Sequence, residues 1–156
     1  MTYVEWRDAK QKEYNALPIF YAFSNEQFRE AMEERGLTEN DTDKIYKLGS
    51  TGGFYLKSDA PIIREYINKD DGLKDLMEGE SGFAESAFYY EMQNHEYHIN
   101  WQADWDVCSC FGDCEYGEDK SYAVYLVEMG YSDNVVKEYR KARSRFLNDA
   151  DKNGWY

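Results

Sequence analysis

No apolar run in this chain approaches the ~20 residues that a bilayer crossing requires; the longest, such as residues 17–23 (LPIFYAF) and 122–127, fall far short. A membrane-spanning helix is therefore excluded. The first twelve residues alternate acidic, basic and aromatic side chains and lack the apolar stretch and small-residue cleavage pattern of a secretory leader, so the expected compartment is the cytoplasm. Cysteine is scarce as well. The three present, Cys108, Cys110 and Cys114, are odd in number and crowded into seven positions, which does not suit the disulfide framework of a secreted domain. With only two histidines besides, and no local nucleophile signature around any thiol, the material for a nucleophilic triad is thin. Internal repeats and low-complexity linkers are absent too, so residues 1–156 read as a single domain.

What the chain does have is a core. Apolar residues make up 42% of it and aromatics 17%, including 15 Tyr, 8 Phe and 4 Trp, enough for one hydrophobic centre at this length despite a hydrophilic average. It also has charge in one place. Residues 70–119 carry fourteen acids against a single base, Lys74, and account for the whole net charge of −13; the other residues hold 17 acids and 17 bases. A charge this localised sets up a directional field and is more than a solubility device.

Residues 17–23 read as a strand, followed by a helix that Ser24 and Gln27 open in a capping-box arrangement and Gly36 closes. KIYKLGSTGGFYLK (44–57) reads as a hairpin around a Gly/Ser/Thr turn. Pro61 sits in the first turn of a helix carrying Ile62, Ile63, Tyr66 and Ile67. Residues 70–82 read as a polar connection with a short LKDLM turn. Phe83, Ala84, Ala87, Phe88 and Met92 then mark a helix close to the core. Residues 97–105 look β-like and 106–120 a flexible, Gly-, Cys- and acid-rich loop. Two last helices follow, the second with Val135, Val136, Tyr139, Ala142, Phe146 and Leu147 on one face and Lys137, Arg140, Lys141, Arg143 and Arg145 around the other. The expected fold is α+β, a small antiparallel sheet or hairpin packed with about four to five helices and an acidic, loop-rich segment at 70–119.

Several constellations bear on chemistry. GSTGG at 49–53 lacks the Gly-Lys-Ser/Thr ending of a phosphate loop and runs into a strand, so it reads as a turn. Cys108, Cys110 and Cys114 with His98, and His95 nearby, offer nitrogen and sulfur ligands for a tetrahedral zinc, although CxC followed by xxxC is not a common zinc spacing. Zinc is the one cofactor the sequence admits. Trp101, Asp104, Trp105 and Asp106 set carboxylates beside indoles, the composition of a small hydrolase acting on sugars. The basic face of the last helix suits the acidic segment of its own chain or of a second copy better than nucleic acid, which a molecule of net −13 repels.

Taken together, FYAFSNEQF (20–28), KIYKLGSTGGFYLK (44–57) and the helix ending in NHEY (94–97) make the chain resemble a family of small acidic proteins of bacteriophages and mobile elements of gut Firmicutes, over roughly residues 18–100. The Cys-rich stretch departs from that family's pattern. The resemblance implies an accessory protein at work in the host bacterial cytoplasm. With the charge, it leads to the expectation of a non-enzymatic inhibitor of the anti-CRISPR or anti-restriction kind, whose partner is a host defence nuclease such as a Cas effector. Asp70, Asp71, Asp104, Asp106, Asp113, Glu115, Glu118 and Asp119 are the expected contact residues, standing in for DNA phosphates. The rival readings are the zinc-organised interaction module and the hydrolase using Asp104 or Asp106.

Overall fold

The structure, a computed structural model, describes residues 1–79 and 81–156. Glu80, one of the fourteen acids, lies outside the described residues. The fold is α+β, and the chain gathers into two compact units, Lys10–Asp70 and Met1–Ala9 with Asp71–Tyr156. No helix among the described residues is long and apolar enough to cross a membrane.

Helix α1 (Tyr3–Asn15) runs from one unit into the other. In Lys10–Asp70 there follow β1 (Phe20–Tyr21), α2 (Asn25–Glu34), β2 (Ile45–Leu48), β3 (Gly53–Leu56) and α3 (Ala60–Asn68). Ser24 caps α2 as expected: its Oγ accepts from the Gln27 amide at 3.2 Å, while Gln27 Oε1 accepts from the Phe23 amide at 2.9 Å. The sheet is antiparallel in the order β1-β3-β2, with Phe20 opposite Phe54 and Ile45 opposite Leu56. GSTGG is its hairpin turn. Thr51 Oγ1 donates to the Leu48 carbonyl at 2.7 Å and accepts from the Gly53 amide at 3.1 Å. Gly52 sits at φ +80°, where a Cβ would come within 2.5 Å of the Phe23 ring, so the position needs glycine.

The strand expected over 17–23 shrinks to two residues. The amides of Leu17 and Ile19 bond to Tyr14 and Leu17 in a local turn, and Pro18 has no N–H to offer a neighbouring strand. Phe20, Met32 and Ile45 form the small core of this unit, with Phe28, Ala31, Leu37, Phe54 and Leu56 against them.

The second unit contains α4 (Leu73–Gly79), α5 (Phe83–Asn94), α6 (Ala103–Cys108), α7 (Tyr122–Glu128) and α8 (Asp133–Asn153). Its centre is the packing of α5 on α8. Phe88 is fully buried, 4.9 Å from Phe111 and 4.8 Å from Tyr139 between ring centroids, both edge-on. Burying one such side chain stabilises by about 1.5–3 kcal/mol. The face of α8 expected to be apolar is the buried one, and the five expected bases are exposed. Two of them pair within the chain: Arg145 with Glu85 at 3.4 Å and Lys141 with Glu138 at 2.9 Å.

The described residues form eight α-helices, more than the four to five expected, because α1, α4 and α6 are short or weakly patterned. Thr2 and Glu5 close a reciprocal box over α1: Thr2 Oγ1 accepts from the Glu5 amide at 3.1 Å, and Glu5 Oε2 accepts from the Thr2 amide at 2.7 Å. The segment 97–105 is not β-like. It is turn up to Gln102 and then α6, whose residues Ala103, Val107 and Cys108 bury one face at helical spacing. Two hydrophobic clusters, one in each unit, take the place of the expected single core.

Candidate functional site

Three places in the larger unit concentrate polar chemistry. The first surrounds Glu91, which is 2% exposed. On α5, Glu91 and His95 are one turn apart and share a face. Tyr3 and Arg7, likewise one turn apart on α1, meet the carboxylate from the other side. Tyr3 Oη donates to Glu91 Oε1 at 2.7 Å, and Arg7 reaches the same oxygen at 2.5 Å. The second oxygen, Oε2, accepts from Asn94 Nδ2 at 3.2 Å and faces both His95 Nε2 and Cys110 Sγ at 3.5 Å. Cys110 Sγ is itself 3.4 Å from His95 Nε2. Burial and the nearby Glu91 carboxylate push the Cys110 thiol up to about 12, and burial with the same carboxylate raises the Tyr3 phenol.

Cys110 therefore lacks the stabilised thiolate that nucleophilic catalysis needs. Nor is this a relay: Cys110 and Glu91 both address Nε2 of the imidazole, whereas a catalytic triad places base and orienting acid on opposite ring nitrogens.

The second place is the loop 112–121, which hydrogen bonds tie to α6 and α7. Trp105 Nε1 donates to the Cys114 carbonyl at 3.0 Å. Tyr125 Oη clamps Gly117, accepting from its amide at 3.2 Å and donating to its carbonyl at 3.0 Å. Lys120 Nζ donates to the Glu115 carbonyl at 3.3 Å. Asp113, Glu115, Glu118 and Asp119 are all exposed on this backbone. Beside them Trp101 is 82% exposed, its ring edge-on to Tyr116 at 6.2 Å.

A third feature adjoins the loop, a small pocket of about 240 Å³ walled by Trp101, Asp104, Trp105, Tyr116, Glu118 and Arg143 among others.

The expected contact acids divide by environment. Asp70 and Asp71 are exposed, in different units, and Asp71 Oδ1 accepts from the Leu73 amide at 3.0 Å to start α4. Asp104 and Asp106 are half-buried and already engaged in hydrogen bonds within the chain. Asp104 Oδ1 accepts from Tyr97 at 2.5 Å and Tyr139 at 2.8 Å, and Asp106 Oδ2 from Asn100 at 2.7 Å, because α6 turns these carboxylates toward phenols and an amide that need acceptors. Only Asp104 of the pair lines the pocket, so the two carboxylates expected to flank a sugar do not share it.

The expected zinc set does not assemble either. Cys108 is fully buried in the core of α6, Cys114 lies half-buried in the loop, and His98 bonds the Trp155 carbonyl at 3.0 Å and packs against Phe146. Among the described residues, the group whose donor atoms converge within 4.8 Å is Glu91, His95 and Cys110. It keeps Cys110 of the expected set and His95, which the sequence placed near it, and adds Glu91. The signals that could have found it are the i, i+4 pair Glu91/His95 and the TxxE box at Thr2, which announces α1 and so brings in Tyr3 and Arg7.

These features define a small α+β protein with an acid–imidazole–thiol cluster built on a buried carboxylate and a hydrogen-bonded acidic loop. The chain belongs to a family of unknown function, DUF7659, which it matches over residues 2–112. That span contains Tyr3, Arg7, Glu91, His95 and Cys110 and ends before the loop acids. No curated protein and no solved structure matches this chain.

Proposed function

We propose that this protein is a non-catalytic binder that occupies the basic, nucleic-acid-holding surface of another protein, with the loop acids Asp113, Glu115, Glu118 and Asp119 and the ring of Trp101 as its contact face. The observation that supports this reading most directly is the fixed presentation of four exposed carboxylates on a backbone clamped at Cys114 and Gly117. A loop ordered in advance loses little freedom on binding. Carboxylates at set positions make charge-assisted pairs with partner arginines, and an exposed Trp at the patch edge is the kind of anchor that dominates interface energy.

The partner proposed, in keeping with the resemblance to phage and mobile-element proteins, is a host defence nuclease such as a Cas effector in the bacterial cytoplasm, whose positively charged channels an acidic face can fill. A homodimer joining the loop acids to the basic face of α8 of a second copy is a weaker use of the same complementarity.

Cleavage of a target duplex by purified Cas effectors and restriction nucleases, with and without this protein, tests the proposal. Inhibition that weakens between low and moderate salt is expected, since exposed charges are screened over about 8 Å at physiological ionic strength. Cleavage unaffected across the panel, or inhibition insensitive to salt, would remove the reading. The hydrolase alternative retains one observation, the pocket walled by Trp101, Trp105 and Asp104; turnover of a glycoside that Asp104→Asn abolishes would establish it.

A further inference from the structure

We propose that Glu91, His95 and Cys110 form a binding site for one divalent transition metal of the zinc type, independent of the acidic loop. The distances between the three donor atoms carry this. Glu91 Oε2, His95 Nε2 and Cys110 Sγ form a nearly equilateral triangle with edges of 3.5, 3.5 and 3.4 Å. Three ligands of a tetrahedral zinc, with Zn–S near 2.3 Å and Zn–N and Zn–O near 2.0–2.1 Å, stand about 3.3–3.6 Å apart. The triangle already has the dimensions of one face of that tetrahedron.

The donor chemistry agrees. One thiolate, one imidazole nitrogen and one carboxylate oxygen are the mixed N/S/O set that zinc accepts, and three protein ligands leave the fourth position open. Cys110 Sγ has two acceptors about it, Glu91 Oε2 and the Asp106 carbonyl at 3.3 Å, and a single S–H to share between them, while His95 Nε2, donor or acceptor according to its tautomer, stands against the same sulfur. A cation satisfies the sulfur, the nitrogen and the carboxylate oxygen at once, and the thiol proton leaves to solvent as it binds.

The carboxylate is held for this role. Tyr3 and Arg7 both bond Oε1, which fixes the rotamer and turns Oε2 toward the imidazole and thiol, the arrangement by which outer partners orient a metal-ligating acid. Tyr3 is thus a positioning residue. His95 is 31% exposed and gives an ion access from solvent.

The test uses the full chain, reduced and stripped with a chelator, titrated with cobalt(II) and zinc(II). Cobalt should bind one per chain with release of a proton, giving the thiolate charge-transfer band and the visible bands of tetrahedral cobalt, and zinc should displace it with loss of those bands and no further proton release. Cys110→Ser should abolish the charge-transfer band. His95→Gln, at a half-exposed position where folding is safe, should weaken binding by at least about a hundredfold, and Tyr3→Phe by about 10–100-fold, the usual range for an outer partner. Cys114→Ser and His98→Gln should bind as the native chain does. Absence of the charge-transfer band in the native chain, undiminished binding by His95→Gln, or loss of binding in Cys114→Ser would each overturn the assignment.

Discussion

Tyr3 donates its phenolic hydrogen to Glu91 at 2.7 Å although 88 positions separate the two in sequence. With Arg7 on the same oxygen, the first turns of α1 neutralise the one buried acid among the described residues. Tyr3→Phe removes one of two strong donors to a carboxylate that is only 2% exposed. The expected loss is about 1–3 kcal/mol in urea unfolding, the cost of a missing hydrogen bond to a buried charged group. Glu91→Gln in the Tyr3→Phe background should cost less than the sum of the two single changes, because the two residues share one interaction.

Phe88 sits where α5, α8 and the turn carrying Phe111 meet, with no exposure at all. Phe88→Ala should destabilise by about 3–5 kcal/mol, since the ring is lost and its neighbours cannot close the space. Calorimetry would show this as a lower melting temperature, with the far-UV spectrum of the folded state unchanged.

Alkaline pH should weaken the fold. Burial, with Asp71 and Glu78 adding repulsion, pushes the Tyr131 phenol up to about 12, and burial raises Tyr139 well above its ordinary value. In the unfolded chain both ionise near pH 10. Between those values the folded state holds protons that the unfolded state has released, so stability is complete below about pH 10 and falls as pH rises through the window. Urea midpoints from pH 8 to 12 would check this. Tyr131→Phe, which also loses a 2.6 Å bond to the Phe111 carbonyl, should start lower and decline less.

Neutralising Asp113, Glu115, Glu118 and Asp119 to Asn or Gln should leave the melting temperature nearly unchanged, at under about 0.5 kcal/mol each for exposed positions. Binding to the basic partner should fall well beyond tenfold as steering and charge-assisted pairs are lost together. The control set is Glu30, Glu33, Glu34 and Glu39, all exposed. Asp41 is unsuitable for it, because its carboxylate accepts from the Thr38 amide and hydroxyl. Equal loss from both sets would assign the effect to bulk charge. Trp101→Ala should keep the fold and cost binding about 2 kcal/mol or more if the ring is an anchor.

The three cysteines should answer differently to replacement. Cys108→Ser buries a hydroxyl in the core and should cost about 1–3 kcal/mol. Cys114→Ser, half-buried in the loop, should cost little. Thermal unfolding of the single variants separates them, whereas the sequence offers three equivalent thiols.

Periodic and capped elements are legible in the sequence. The helices at α2, α3, α5 and α8, the β2–β3 hairpin and the exposed bases of α8 follow from spacing, from Ser24 with Gln27, and from glycines at the turns. So is the short α7, whereas α1, α4 and α6 are not. Over 97–105 the aromatics carry β propensity, and only the packing of Ala103, Val107 and Cys108 against the core makes α6 the outcome. The acids are legible in number but not in role: nothing local distinguishes Asp104, held by two phenols, from Asp113, exposed on a pinned loop.

By itself, then, the sequence determined the α+β class, the absence of a membrane-crossing helix, the crowding of negative charge into 70–119 and the faces of the long helices, all of which depend on neighbours within a turn or two. The tertiary structure alone decided which polar groups meet. Tyr3, Arg7, Glu91, His95 and Cys110 come from α1, α5 and the turn after α6, and their convergence rests on how those elements pack. Local spacing has no access to contacts across 88 residues, because the free energy that selects them is the burial of apolar faces shared by the whole unit.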